Sequence, residues 1–151
     1  MEIKLKLPEP KFKIKLVNNI TQVFDQVRKK FIVFTPEERV RQYLIYFLNI
    51  ERGYPFGLMK LEQKLYYNKM LCRADVIIYN NNGKPVMLIE CKAPHIKLSQ
   101  NIFDQIAKYN YVLKVPYLLI SNGVQHFCCH IDYTKDNIDF LQDIPSFLEI
   151  Q

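Results

Sequence analysis

The sequence predicts a mixed α/β fold, with a sheet flanked by helices and preceded by a small β appendage. Three observations carry that expectation. Residues 11–16 alternate lysine with apolar side chains at a period of two. Two stretches, after Thr35 and after Ser99, place apolar residues at helical spacing. Between and beyond them lie short aliphatic runs bounded by Asn-Gly and Pro punctuation, the mark of strands. A single domain is expected for 151 residues, divided into a basic N-terminal β arm (1–34), a core (35–132) and an acidic C-terminal tail (133–151).

In chain order, Lys11 to Leu16 reads as a strand with one solvated face. A turn near Asn18-Asn19 follows, and a second extended stretch runs around Arg28 to Phe34. Thr35-Pro36-Glu37-Glu38 opens the first helix, with Thr35 as N-cap, Pro36 at the first helical position and Glu38 closing a capping box. Its apolar stripe is Val40, Tyr43, Leu44, Phe47 and Leu48, and Gly53-Tyr54-Pro55 ends it. Gly57 to Tyr67, Arg73 to Tyr79 and Pro85 to Lys92 are extended, the last two joined at Asn82-Gly83 by a type I′ turn. Ser99 caps a second helix to about Lys114, with Ile102, Ile106, Asn110 and Leu113 along one side. Val115-Pro116 breaks it, Tyr117 to Ser121 and Gln125 to Asp132 form further strands, and the tail packs Phe140, Leu141, Ile144 and Phe147 onto the domain. The core order is α-β-β-β-α-β.

Composition excludes several classes. No apolar run approaches the ~20 residues of a membrane span, and the N-terminus has no secretory h-region, so a cytoplasmic location is expected. Cys72, Cys91, Cys128 and Cys129 form no CxxC pair, which argues for reduced, mostly buried thiols rather than a zinc site. His126 and His130 on one strand stand about 13 Å apart, too far for one ion. Glycine is too scarce, at four, for a phosphate-cradling or dinucleotide loop. The net charge of +6 is uneven: residues 1–30 carry eight basic and three acidic side chains, residues 131–151 one and five. A basic arm fits a polyanionic partner, and equally a solvated strand edge.

The hairpin carries the chemistry. With Asn82-Gly83 as a two-residue loop, Asp75 falls opposite Glu90, and Asp75, Ile77 and Tyr79 share a face with Leu88, Glu90 and Lys92. The other face, Ala74, Val76, Ile78, Met87, Ile89 and Cys91, is wholly apolar. Two carboxylates then stand about 5 Å apart between Cβ atoms, which costs stability unless a proton, a neighbouring cation or a hard divalent ion offsets it. Lys92 projects beside Glu90, placed to stabilise charge developing on a phosphoryl group.

Asp75 followed by Glu90-Cys91-Lys92 resembles the D…(D/E)xK motif of the PD-(D/E)XK nuclease superfamily. The stretches TPEERVRQYL, RADVIIYNNNGKPVMLIECKAP, QIAKY and LLISNG resemble the N-terminal nuclease domain of type I restriction enzyme R subunits, over roughly residues 34–123. Ala74 stands where the motif name has proline, and the chain has no room for a translocase motor.

That resemblance implies a restriction-endonuclease-like core and Mg²⁺- or Mn²⁺-dependent hydrolysis of DNA phosphodiesters. It assigns the metal to Asp75, Glu90 and the Cys91 carbonyl, and the positioning of the attacking water to Lys92. A glutamate from the first helix often joins such sites. Glu37 lies within the apolar stripe and is the candidate, with Glu38 kept for the cap nearer the solvent side; an i,i+4 Glu37–Arg41 ion pair is the competing role. Gln105 and Tyr109, at the edge of the second helix's buried stripe, are the QxxxY-like pair that borders such sites, and His95 lies on a connecting segment close by. The expected partners are DNA, and a second copy or other proteins of a restriction or defence system. A DNA-binding or regulatory module with the same fold and little cleavage, and a structural protein whose lysines and arginines neutralise the pair, are the other readings.

Overall fold

The computed structural model describes residues 2–67 and 69–151; the side chains of Leu65, Tyr67, Met70, Cys72, Tyr109, Tyr111 and Val112 lie outside that description, so the readings of Cys72 and Tyr109 lie outside the described residues. Nine strands form two sheets among the described residues. The N-terminal sheet is antiparallel, β1 (Ile14–Val17), β2 (Ile20–Asp25) and β3 (Lys30–Val33). The sequence reading gave this arm two strands. It missed β2, whose Val23 and Asp25 are buried, because the polar Thr21 and Gln22 hide the alternation. Asn18 and Asn19 do form the predicted turn, both at positive φ (49° and 62°), the left-handed region asparagine tolerates.

The large sheet has the order β4-β5-β6-β7-β8-β9: β4 (Met59–Tyr67), β5 (Met70–Tyr79), β6 (Pro85–Cys91), β7 (Tyr117–Ser121), β8 (His126–Asp132) and β9 (Asn137–Leu141). Every neighbouring pair is antiparallel except β6 and β7, which are parallel and joined through helix α2 (Gln100–Leu113), as a crossover requires. With α1 (Pro36–Arg52) ahead of β4, the core reads α-β-β-β-α-β as expected.

The two helices cover opposite faces. Val40, Tyr43, Leu44 and Leu48 of α1 pack with Val76, Ile78, Met87, Ile89 and Cys91. Ile106 of α2 packs with Ile77, Leu88, Leu118 and Ile120. The N-terminal sheet lies on the far side of α1, where the Phe12 ring sits 5.4 Å from Tyr43, so α1 is held between two sheets. The tail contributes an edge strand, β9, rather than the expected packing throughout. Phe140 is exposed there, while Ile144 and Phe147 are buried, the latter in a short helix, α3 (Phe147–Ile150).

The hairpin turn differs from the predicted one. Asn80 N–H donates to the Lys84 carbonyl (2.8 Å) and Gly83 N–H to the Asn80 carbonyl (3.0 Å). Gly83 alone of the three loop residues has positive φ (76°), so the loop is Asn81-Asn82-Gly83, a type I turn closed by a left-handed glycine. A three-residue loop shifts the register by one. A bulge shifts it back, because Tyr79 pairs Pro85 but Ile78 pairs Met87, leaving Val86 unpaired. From Ile78 onward the register is the one the sequence implied, Ile77 on Leu88 and Val76 on Ile89.

Candidate active site

Beyond Val76 and Ile89 the two strands part. Cys91 N–H donates instead to Asp75 Oδ2 at 2.7 Å, so a side-chain oxygen takes the place of a strand carbonyl. The alternation of β5 breaks at this point. Val76 and Ile78 belong to the α1 cluster, yet Ala74 belongs to the α2 cluster with Ile77, correcting its expected place on the α1 face. Across the sheet, Glu62 is distorted too, at φ 52° between the paired Leu61 and Gln63. The irregularity brings Asp75 within reach of α1: Arg41 Nη2 lies 3.3 Å from Asp75 Oδ1 and 3.0 Å from Glu37 Oε1.

Asp75 and Glu90 are both 8% exposed and stand close enough for the charge of Asp75 to act on Glu90. Lys92 Nζ lies 2.9 Å from Glu90 Oε1. Burial, and then the charge of Asp75, push the Glu90 carboxyl up to about 7, against the opposing pull of Lys92. Burial and Asp75 also raise Glu37, while Arg41 and Lys92 oppose the rise. Burial pulls the Lys92 pKa down, but its hydrogen bond to Glu90 together with the charges of Glu90, Asp75 and Glu37 raises it on balance. The structure brings Asp75, Glu90 and Lys92 together, and Glu37 shares their field.

Cys91 ends β6 with its thiol buried in the α1 cluster. Lys92 N–H donates to the Ser121 carbonyl on the β7 side. Since peptide groups alternate along a strand, the Cys91 N–H and carbonyl are directed to the β5 side, where Asp75 lies. The described thiols, Cys91, Cys128 and Cys129, are buried and unpaired, as expected.

Glu38 is the largest departure. It is buried rather than near solvent, and its carboxylate accepts from Arg28 Nη2 (2.7 Å), Arg41 Nη1 (2.7 Å) and Gln42 Nε2 (3.1 Å). Only half of the capping box forms. Thr35 Oγ1 accepts from Glu38 N–H, while Thr35 N–H donates to Val33 O. Arg28 also binds Asp25 (2.5 Å), and Glu62 touches Arg28, Arg41 and Arg73. Helical spacing misplaces Glu38 because it assumes one buried face, and α1 has two.

Arg28 and Glu62 escaped sequence reasoning altogether. The charge of Arg28 was indistinguishable from the general basicity of the arm. A signal for Glu62 existed, since it is the one acidic residue between Gly53 and Ala74.

Gln105 lies exposed on α2, outside the buried stripe to whose edge it was assigned. Ser99 takes an extended N-cap conformation without a side-chain capping bond. His95 lines an open groove of about 610 Å³ with Glu37, Arg41, Glu62 and Lys30, in keeping with its expected place near the site. His126 Nδ1 pairs with Ser121 Oγ at 2.7 Å, an ordinary strand histidine.

The donor set suits a hard divalent ion. Among the described residues no three His, Cys, Asp or Glu side chains converge on one point, and the oxygen donors at hand are the Asp75 and Glu90 carboxylates and the Cys91 carbonyl. The contiguous contacts join Asp25, Glu37, Glu38, Glu62, Asp75 and Glu90 to Arg28, Arg41, Arg73 and Lys92. Six carboxylates against four cations leave two negative charges uncompensated when all are ionised, the charge one such ion carries.

Comparison with known proteins agrees with this fold. A family model described as the type I restriction enzyme R protein N terminus matches residues 36–145. No curated protein matches the chain. A solved fragment assigned as the HsdR subunit of a type I restriction enzyme from Vibrio vulnificus YJ016 superposes with a TM-score of 0.54 at 18% identity. The match covers 78% of this chain and 24% of that one, so the chain spans about a quarter of its relative's length.

Proposed function

The chain belongs to the family of type I restriction enzyme R protein N termini, and from its buried carboxylate pair we propose that it is a metal-dependent nuclease domain hydrolysing DNA phosphodiester bonds. The observation that carries this reading is the buried Asp75–Glu90 pair with Lys92 Nζ 2.9 Å from Glu90 Oε1. Asp75, Glu90 and the Cys91 carbonyl would hold Mg²⁺ or Mn²⁺, which when bound lowers the pKa of water and polarises a phosphoryl oxygen. Lys92 keeps Glu90 oriented and offers its ammonium group to the attacking water and to negative charge growing on the phosphoryl group. Glu37, its pKa raised by burial and the charge of Asp75, lies half exposed beside Arg41 and is placed to orient water. The DNA backbone enters along the groove lined by Lys30 and His95. Other subunits or a second copy would supply targeting, in keeping with a chain that spans a quarter of its structural relative.

The test is cleavage of linear, circular and single-stranded DNA with Mg²⁺ or Mn²⁺ by the wild type beside Glu90→Ala and Lys92→Ala. Loss of at least about a hundredfold in each variant is expected, on the scale of removing one preorganised charged group. Equal cleavage by all three would refute the assignment.

One observation favours a second reading, a DNA-binding module with little cleavage. Arg41 and Lys92 already neutralise part of the pair. Binding that falls steeply with salt, without hydrolysis, would select it.

A further inference from the structure

The N-terminal sheet lies outside the residues that the family model matches, yet Arg28 of its β2–β3 turn reaches the carboxylate network by ion pairs to Glu38 and Glu62. The β2–β3 turn is built to hold Arg28 still. Asp25 Oδ1 accepts from Val27 N–H (2.7 Å) and Arg28 N–H (2.9 Å), Asp25 O accepts from Lys29 N–H (2.8 Å), and Lys29 takes a left-handed φ of 56°. Arg28 then spans three carboxylates, with Nε on Asp25 Oδ2 (2.5 Å), Nη2 on Glu38 Oε1 (2.7 Å) and Nη1 3.4 Å from Glu62 Oε2. That same Glu38 oxygen accepts from Arg41 Nη1 at 2.7 Å, and the other end of the Arg41 fork rests on Glu37 and Asp75.

We propose that Arg28 is a positioning residue of the metal site, and that the N-terminal sheet is therefore part of the catalytic unit rather than an appendage to it. The inference rests on the metal-site reading above and adds a structural requirement to it. Two guanidinium groups share one oxygen of Glu38, so neither can take that carboxylate to itself. Without Arg28, among the described residues only the Gln42 bond to Oε2 competes with Arg41 for Glu38, and the carboxylate can turn further onto Arg41 toward the favoured bidentate geometry. Arg41 then draws away from Asp75 and Glu37, and the carboxylates lose the contact that sets their orientation.

Coulomb's law and positioning predict opposite signs, which makes the idea decidable. Removing a cation leaves the cluster more negative, so charge alone would tighten divalent-ion binding. Loss of orientation weakens it, and loss of an outer partner of a metal ligand commonly costs about tenfold or more in affinity.

The experiment titrates Mn²⁺ calorimetrically into the full chain for wild type, Arg28→Ala, Arg28→Lys, Asp75→Asn and Lys15→Ala, and records the Arg41 Nε–H signal by NMR without metal. That proton is a specific reporter, because Arg41 Nε is buried without an acceptor among the described residues. Lys15 stacks on Phe31 on the outer face of the same sheet and controls for loss of basic charge. Arg28→Ala is expected to weaken Mn²⁺ about tenfold and to shift the Arg41 signal. Arg28→Lys, which keeps the charge and loses the fork, should fall between it and the wild type, and Lys15→Ala should match the wild type.

Unchanged or tighter Mn²⁺ binding in Arg28→Ala, with binding abolished in Asp75→Asn, overturns the inference and leaves the metal site standing. If the wild type takes up no Mn²⁺, the metal reading fails, and an Arg41 signal unmoved by Arg28→Ala then overturns positioning as well. Should the alanine variant not fold, an Arg28→Lys protein identical to the wild type in both readouts overturns it too.

Discussion

The two ends of the β5–β6 hairpin are built on opposite principles. At the turn end the contacts are wet and chiefly local: Asn80 Oδ1 accepts from Asn82 N–H and Lys84 N–H, both at 2.9 Å, and the distant bond from Asn81 Nδ2 to Gln151 Oε1 is exposed. At the open end the central contacts are distant and buried. Asp75 meets Arg41 from 34 residues away, and Arg41 is 3% exposed. Local polar contacts in water contribute about 1 kcal/mol each and break independently. Buried ion pairs stand or fall together, because removing one partner strands the others in a medium that cannot solvate them. The same two strands thus carry a forgiving end and an unforgiving one.

The sharpest way to break the contrast is to remove the carboxylate at the centre of the buried end. Glu38→Ala leaves Arg28 and Arg41 facing each other without their shared acceptor. A loss of about 3–5 kcal/mol in unfolding free energy is expected from urea titration, the range for breaking a buried pair. A loss below about 1 kcal/mol would mean that the network is wetter than its burial indicates.

The second prediction concerns pH and comes from Glu90. Its folded pKa of about 7 stands above the ordinary value of 4.5, so between those limits the folded chain holds a proton that the unfolded chain has released. Stability from this group is therefore full below about 4.5 and is lost as pH rises through 7. The difference between wild type and Glu90→Gln should change by up to about 3 kcal/mol across that window in metal-free buffer. Saturating Mn²⁺ should stabilise the wild type more at pH 8 than at pH 5.5, since the ion relieves the repulsion that deprotonation creates. Melting curves at the two pH values check both statements.

Much of the fold was legible because it rests on local signals. Thr35-Pro36 starts α1, Gly53 ends it at φ 75°, and the alternation around Ile77 and Leu88 assigns two strand faces that two helices then cover. The site was legible as far as one hairpin can carry it: Asp75, Glu90 and Lys92 share a short stretch of chain, so their register followed from pairing alone. It followed by two offsetting departures, a loop one residue longer than read and a bulge at Val86 that restores the phase. Arg41's hold on Asp75, Glu38's burial and Arg28's role depend on which element covers the back of α1. Periodicity within one helix reports a buried face, never what lies beyond the second one.

The smallest expected effect sharpens the contrast from the turn end. Gly83 sits at φ 76° with open space where a Cβ would go, so Gly83→Ala meets backbone strain and no steric clash. A left-handed alanine costs about 1 kcal/mol, and a domain of this length should lose roughly 2–4 °C in melting temperature for it. The bulge at Val86 lies between this turn and the paired core of the hairpin, and the carboxylates stand beyond that core, at its opposite end. Mn²⁺ affinity and cleavage by Gly83→Ala should therefore equal those of the wild type. A change in either would mean that the turn's strain travels along the strands past the bulge, and that the two ends are one mechanical unit after all.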